Sequence, residues 1–242
     1  MMIPMLQGQR IGAIVLMGGT GSRFGGDVPK QFVLLGDRRV YLHTLEAFKK
    51  IAFFDEILLV CHPGWIDTVA DEVLGAKVVA GGKTRQESSY LGLQGFSSIP
   101  DIVCIHDAVR PFVSEKIIQE NIAQAILHGA VDTCIPSADT LVYAPGGVKI
   151  VGIPKREEYL RGQTPQTFRF DLIWDAHQTA IKDGIVNSSD DCSLVLRRGH
   201  SVYVVTGSES NLKITTEYDL WTAQAKIFKP YQTLMEDPLF LQ

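Results

Sequence analysis

The sequence predicts an α/β domain built on a Rossmann-like, doubly wound and mostly parallel sheet. Two observations lead there. Short apolar runs without polar alternation are separated by helical patterns, as in a parallel sheet covered on both faces. The first of these runs ends abruptly in a cluster of glycines, where such sheets hold their ligands.

Taken in order, Ile11–Leu16 is the first strand, and it enters Gly18-Gly19-Thr20-Gly21-Ser22, with Arg23 and Lys30 following. A helix over Val40–Ile51 places Leu42, Leu45 and Phe48 on one face. Glu56–Cys61 is the second strand and Ile66–Leu74 the next helix. Lys77–Val79 is a short strand, Gln86–Gln94 a helix and Asp101–Ile105 a strand. Ser114 is placed to cap a helix that reaches His128, with Ile117, Ile118, Ile122, Ala125 and Ile126 as its apolar stripe. The pattern changes after Ile135. Leu141–Tyr143 and Val148–Val151 flank Ala144-Pro145-Gly146-Gly147, a hairpin signal, and two strands jutting from an α/β unit need something to pack on. Helices follow near Asp171–Lys182 and Asp190–Leu196, then a strand at Ser201–Val205 and a last helix near Glu217–Phe228. Residues 1–242 thus read as a single domain with a protruding β-hairpin arm at about 137–160. If ligands bind beyond the carboxyl ends of the strands, Gly18–Arg23, Gly81–Arg85 and His106–Arg110 share one rim.

Composition narrows the functional classes. Hydrophobic residues make up 45% and charged ones 21%, as in a globular protein, and a net charge of −4 gives no electrostatic reason to expect nucleic acid or an anionic membrane. Cys61, Cys104, Cys134 and Cys192 are far apart, without zinc-ligand or disulfide spacing, and fit a reducing cytoplasm. No apolar run approaches membrane-spanning length.

The glycine loop has the chemistry of an anion cradle. Glycines let backbone N–H groups approach an anion, and Arg23 and Lys30 add the full charge that a triphosphate requires. A Walker loop would place Gly before its lysine, where Pro29 stands, and a dinucleotide fingerprint would need a third glycine two residues after Gly21. The bland alternative is a glycine turn with incidental charges. Asp107, at the end of an apolar strand, is suited to Mg²⁺, or else pairs with Arg110 to stabilise the turn.

The blocks GGTGSRFG, PKQF, GGKTRQESS, HDAVRPF, ADT, GQTPQTF and SNLKITT resemble, in order, those of cytidylyltransferases that activate sugar-alcohol phosphates with CTP, over roughly residues 11 to 225. That family includes methylerythritol phosphate enzymes of isoprenoid synthesis and ribitol phosphate enzymes of wall or capsule polymers. The resemblance implies a nucleotidyltransferase fold and a homodimer embraced through the arm. It gives Arg23 and Lys30 to the triphosphate and Lys213 to the α-phosphate, as catalytic residues. It puts Gly18, Gly19, Gly21, Gly82, Arg85 and Ser88 around the nucleotide, and Asp107 on a divalent metal and the ribose. The acceptor site would combine Asp107, Arg110 and Lys213 with Thr140, Arg156 and Thr164, the last three reaching into the partner's site. The residues themselves leave plainer roles open: Lys213 as a solvated strand-end lysine, Ser88 as a helix-start hydrogen bonder, Arg85 as a brace, and Asp190 and Asp191 as caps instead of hydroxyl contacts at the acceptor site. Met17 and Lys83 depart from the family pattern at the nucleotide pocket. GGTGSR, VDT, GQTPQTFR and SNLKITT are closer to the ribitol enzymes, RQESSYLGL to the isoprenoid ones. The rivals are a non-catalytic nucleotide-binding subunit and a dinucleotide-dependent oxidoreductase.

Overall fold

In the computed structural model the described residues are 8–19, 24, 28–73 and 76–228. Nine strands are found among them: β1 (Ile11–Met17), β2 (Leu34–Leu35), β3 (Arg38–Arg39), β4 (Glu56–Cys61), β5 (Lys77–Ala80), β6 (Ile102–Asp107), β7 (Ala130–Pro136), β8 (Leu160–Arg169) and β9 (Tyr203–Thr206). The α-helices are α1 (Val40–Lys49), α2 (Ile66–Glu72), α3 (Arg85–Gln94), α4 (Glu115–His128), α5 (Phe170–Lys182), α6 (Cys192–Arg197) and α7 (Glu217–Phe228).

Seven strands form one sheet in the order β5-β4-β1-β6-β8-β7-β9. β1 pairs in parallel with both β4 and β6, so the strand order reverses at β1 and opens a crevice at its carboxyl end. All seven residues of β1 are buried. The pleat sends Ala13, Val15 and Met17 to a core shared with Tyr41 and Phe48 of α1 and Ile118 of α4. Ile14 and Leu16 face the opposite core, with Leu93 of α3, Ile173 of α5 and Val195 of α6. Helices therefore cover both faces, as the apolar runs require. Ser114 caps α4 as expected, its Oγ accepting the Ile117 N–H at 3.3 Å.

Three features depart from the sequence expectations. The first is β8, a ten-residue strand that runs antiparallel between β6 and β7. Its buried Gln163, Thr164, Gln166 and Thr167 give no apolar signal, and a proline argues against an interior strand. Pro165 is tolerated because the β7–β8 register shifts there, between Asp132↔Gln166 and Cys134↔Gly162. The second is the arm. The anticipated hairpin ladder is a single bridge, Tyr143 to Gly152, around a 3-10 turn at Pro145–Gly147 whose Gly146 and Gly147 both have φ of 75°. With no strand beside it among the described residues, the segment leaves Val142, Tyr143, Val148, Ile150, Val151 and Ile153 exposed. The third is the small β2–β3 ribbon, which α7 grips through Gln224: its Oε1 accepts the Gly36 N–H and its Nε2 donates to the Leu34 carbonyl.

Candidate active site

At the carboxyl end of β1 the chain passes into Gly18 and Gly19, and two bonds from one buried amide fix that exit. Gln31 Nε2 donates to the Met17 carbonyl at 2.8 Å and to the Gly19 carbonyl at 2.7 Å. Gln31 follows Lys30, which opens the 3-10 turn Lys30–Phe32, so the lysine and the glycines are positioned as one unit. Gly21 and Arg23 lie outside the described residues.

A second glycine loop lies directly against the first. A Cβ on Gly18 would stand 3.1 Å from Ser88 Oγ, and only a glycine permits that approach without displacement. Ser88 Oγ accepts the Gly82 N–H at 3.1 Å and donates to the Thr84 carbonyl at 2.9 Å. Thr84 caps α3 by accepting the Glu87 N–H, and Glu87 Oε2 accepts the Lys83 N–H. Gly18, Gly82 and Ser88 are thus together, as expected, with the serine hydroxyl committed to shaping the loop.

Asp107 ends β6 beside this crevice, and Ala108 N–H seals the turn by donating to the Leu16 carbonyl at 2.9 Å. Its carboxylate meets three cations: Lys213 Nζ at 2.7 Å, Arg85 Nε at 3.7 Å and Arg110 Nε at 3.9 Å. Burial alone would raise the Asp107 pKa, but Lys213, Arg85 and Arg110 overturn that and hold it well below the usual carboxylate range. Lys213 is fixed to the same turn through its neighbour, Ile214 N–H donating to the Val109 carbonyl at 2.9 Å. Arg110 Nη1 donates to the Asn211 carbonyl at 2.8 Å, and Asn211 Nδ2 donates to the Thr164 carbonyl at 2.8 Å. The rim so built carries excess positive charge around one carboxylate, the arrangement that two approaching phosphates require.

Thr164 corrects an expectation. Instead of reaching toward a partner, it is buried on β8 in its own chain, where its Oγ1 accepts the Asp107 N–H at 3.0 Å and contacts His106 Nδ1 at 3.0 Å. His106 Nε2 lies 3.2 Å from the Arg110 carbonyl, which can only accept. Nε2 therefore carries the proton, Nδ1 accepts from Thr164, and the three residues form one directed chain. Burial pushes His106 down to about 4, so the ring is neutral and anchors the turn.

Arg85 is also turned from its expected place. Its Nη1 pairs with Asp191 Oδ2 at 2.7 Å, and Asp191 Oδ1 lies 3.0 Å from His177 Nε2, a buried set that braces α3 against α5 and α6. Arg85 therefore braces the loop and shapes the Asp107 rim, the plainer of the two roles the sequence leaves open for it. Asp191 makes no capping bond; Asp190 does, accepting the Ser193 N–H at 2.8 Å. Thr140 and Arg156 are exposed in the segment between β7 and β8, where Arg156 Nη1 donates to the Ala138 carbonyl. Sequence reasoning missed the positioning roles of Gln31 and Asn211; both fall inside the PKQF and SNLKITT blocks, which were their only signal. Among the described residues no group of three or more His, Cys, Asp or Glu could cage a metal. Asp107 could offer one oxygen to a Mg²⁺ whose remaining ligands are phosphate oxygens and waters.

The family model for 2-C-methyl-D-erythritol 4-phosphate cytidylyltransferase matches residues 11–229. The chain belongs to that family. A ribitol-5-phosphate cytidylyltransferase of Lactiplantibacillus plantarum is 37% identical over 90% of this chain and 98% of its own length. A 2-C-methyl-D-erythritol 4-phosphate cytidylyltransferase of Geotalea uraniireducens is 36% identical over 89% of this chain and 96% of its own. The solved 4-diphosphocytidyl-2C-methyl-D-erythritol synthase of Anaerococcus prevotii superposes with a TM-score of 0.83 at 28% identity, covering 93% of this chain and 99% of that one. The Thermus thermophilus 2-C-methyl-D-erythritol 4-phosphate cytidylyltransferase gives 0.73 at 32% identity, covering 91% and 99%. This cytidylyltransferase-family chain is a nucleotidyltransferase, and the α/β fold is the family's fold.

Proposed function

We propose that this cytidylyltransferase transfers CMP from CTP to a sugar-alcohol phosphate, with D-ribitol 5-phosphate as the preferred acceptor and CDP-ribitol as product. A phosphate oxygen of the acceptor attacks the α-phosphorus of CTP; a new phosphoanhydride forms as the α–β bond breaks, and pyrophosphate leaves with the electron pair. No proton need be removed from an ionised phosphate, so the protein's task is charge compensation and in-line placement.

The observation that carries this reading is the Asp107 rim beside the two glycine loops. Lys213 at 2.7 Å and Arg110 at 3.9 Å from the same carboxylate oxygen bring two cations to the mouth of the β1–β6 crevice. Lys30 and Arg23 hold the β- and γ-phosphates, and Gly18, Gly82 and the Ser88 loop receive the base. Asp107 would offer one oxygen to a Mg²⁺ bound with the triphosphate, and the ion would supply Lewis-acid neutralisation of phosphate charge. The exposed segment 137–159 embraces a second copy, and Thr140 and Arg156 then complete the neighbour's acceptor site.

For the acceptor, the ribitol-like blocks and the ribitol-5-phosphate relative favour ribitol. The family model and the second relative support methylerythritol phosphate as the alternative. Pyrophosphate release from CTP is to be measured with ribitol 5-phosphate, methylerythritol 4-phosphate, erythritol 4-phosphate and glycerol 3-phosphate, with and without a chelator. Ribitol 5-phosphate is expected to lead in kcat/KM by several orders of magnitude, and chelation to stop turnover. A lead by methylerythritol 4-phosphate overturns the acceptor; release without any polyol phosphate overturns the reaction.

A further inference from the structure

Asp132 takes no part in the contacts described above, although it lies on the same row of the sheet. On β7 it is opposite Gln166 of β8, which is opposite Ile105 of β6, two residues before Asp107. Ile105 and Asp107 point to one face, so Asp132, Gln166 and Asp107 border the same side of the crevice. Two strand spacings, roughly 10 Å, separate β7 from β6, a span suited to a chain of four or five carbons.

The orientation of the Asp132 carboxylate is fixed. Gln166 is buried; its Oε1 accepts the Asp191 N–H at 3.1 Å, so its amide nitrogen must face Asp132, donating to Oδ1 at 3.0 Å. The other oxygen, Oδ2, is turned toward Gly162, where an added Cβ would stand 3.5 Å from it. Glycine at 162 adds no side chain of its own beside Oδ2. Asp132 is half-buried and is in no ion pair among the described residues. Burial, with Asp190 adding to it, pushes its pKa up to about 6 against hydrogen bonds from Gln166, the Cys134 side chain and the Thr133 backbone. A carboxylate in this setting destabilises the fold, which marks it for another use. Arg110, which senses the Asp132 charge, shows the complementary deficit: its buried Nε has no hydrogen-bond partner.

We propose that Asp132 is the specificity-determining residue of the acceptor site, its Oδ2 receiving the hydroxyl end of a polyol whose phosphate is held at Arg110 and Lys213. This rests on the reading of the chain as a polyol-phosphate cytidylyltransferase and names what that site selects: an unbranched chain with donor hydroxyls at its far end. A carboxylate can only accept, and hydroxyls bind it through charge-assisted bonds. A methyl branch at that point would strip water from the carboxylate and give no donor in return.

The test is Asp132→Asn, which keeps an acceptor for Gln166 Nε2 and replaces the oxygen turned toward Gly162 by an NH₂ group. Expected are a kcat/KM for ribitol 5-phosphate reduced at least about 10²-fold, an unchanged KM for CTP and an unchanged or higher kcat/KM for methylerythritol 4-phosphate. With 1-deoxyribitol 5-phosphate, wild type should be at least about 10²-fold slower than with ribitol 5-phosphate, whereas the variant should treat the two alike. Asp132→Ala provides the same comparison without a new donor. Equal losses on all acceptors, or a wild type indifferent to the missing hydroxyl, overturn the proposal while leaving the cytidylyltransferase reading intact. A wild type that turns over no polyol phosphate overturns that reading itself.

Discussion

Lys213 Nζ stands 2.7 Å from Asp107 Oδ2 across 106 residues of sequence, the shortest of the three cation contacts to that carboxylate. The pair holds the lysine over the crevice while its side chain stays partly open to solvent, so the ammonium can still meet a phosphate. Lys213→Ala should lower kcat at least about 10²-fold, as loss of one preorganised donor does, with little change in Tm. Near-normal kcat in that variant would remove the lysine from the mechanism.

Asp107→Asn should act differently, because it frees the cations as well as removing the carboxylate oxygen proposed for Mg²⁺. Activity should fall steeply, and excess Mg²⁺ should recover part of it. A Mg²⁺ titration of kcat/KM decides: a curve shifted to higher Mg²⁺ supports the role, an unshifted one argues against it.

Gln31 offers a prediction about shape alone. Gln31→Glu replaces a buried donor with a carboxylate facing the Met17 and Gly19 carbonyls, costing about 1–3 kcal/mol or more. Gln31→Met keeps volume without that repulsion; its CTP affinity by calorimetry should still drop roughly tenfold as the glycine exit relaxes. Wild-type affinity in the methionine variant would show that the clamp does not shape the nucleotide loop.

His106 and Asp132 pull the pH dependence of stability in opposite directions. Burial lowers His106 from 6.5 to about 4, so between those values the unfolded chain takes a proton that the folded chain refuses, and stability falls as pH drops. Asp132 is raised from 3.8 to about 6, so its contribution is fully present below 3.8 and lost as pH rises through 6. Asp132→Asn should therefore raise Tm at pH 7.5 by roughly a few degrees, and steepen the loss of Tm between pH 6.5 and 4.5. Parallel Tm profiles for variant and wild type would count against Asp132 titrating in this window.

The arm is tested by complementation. If Arg156 serves the neighbouring site, Lys30→Ala and Arg156→Ala homodimers are each nearly inactive. Co-refolded, about half the dimers are mixed and each has one intact site, giving roughly a quarter of wild-type activity. A mixture that stays inactive, beside a wild-type control that recovers, places Arg156 in its own chain's site or in none.

The sheet and its helices were legible because β1, β4 and β6 are apolar runs buried on both faces, and α4 has a cap and a stripe. β8 was not, since its burial is polar: Gln163, Thr164 and Gln166 are satisfied by partners from 25 to 58 residues away that no local pattern displays. Within the site, Asp107, Arg110 and Lys213 were readable as charges at loop positions, and the structure brings them together. The directions of Arg85 and Thr164 were not, because each is decided by a partner on another element: Asp191 for the arginine, His106 and Asp107 for the threonine. Gln31 carries no charge to announce it, only two carbonyls that need a donor.

β8 leaves the exposed segment at Leu160 and meets the backbone of Asp107 four residues later, at Thr164. Those four residues span roughly 13 Å of extended chain, too short and too well paired to act as a slack tether. A tug on the projecting segment must then be absorbed either in the register shift at Pro165 or at the carboxylate itself. Whatever grips the segment holds one end of a stiff rod whose other end sets the height of Asp107. Quaternary contact and chemical competence would thus be two readouts of a single strand's position.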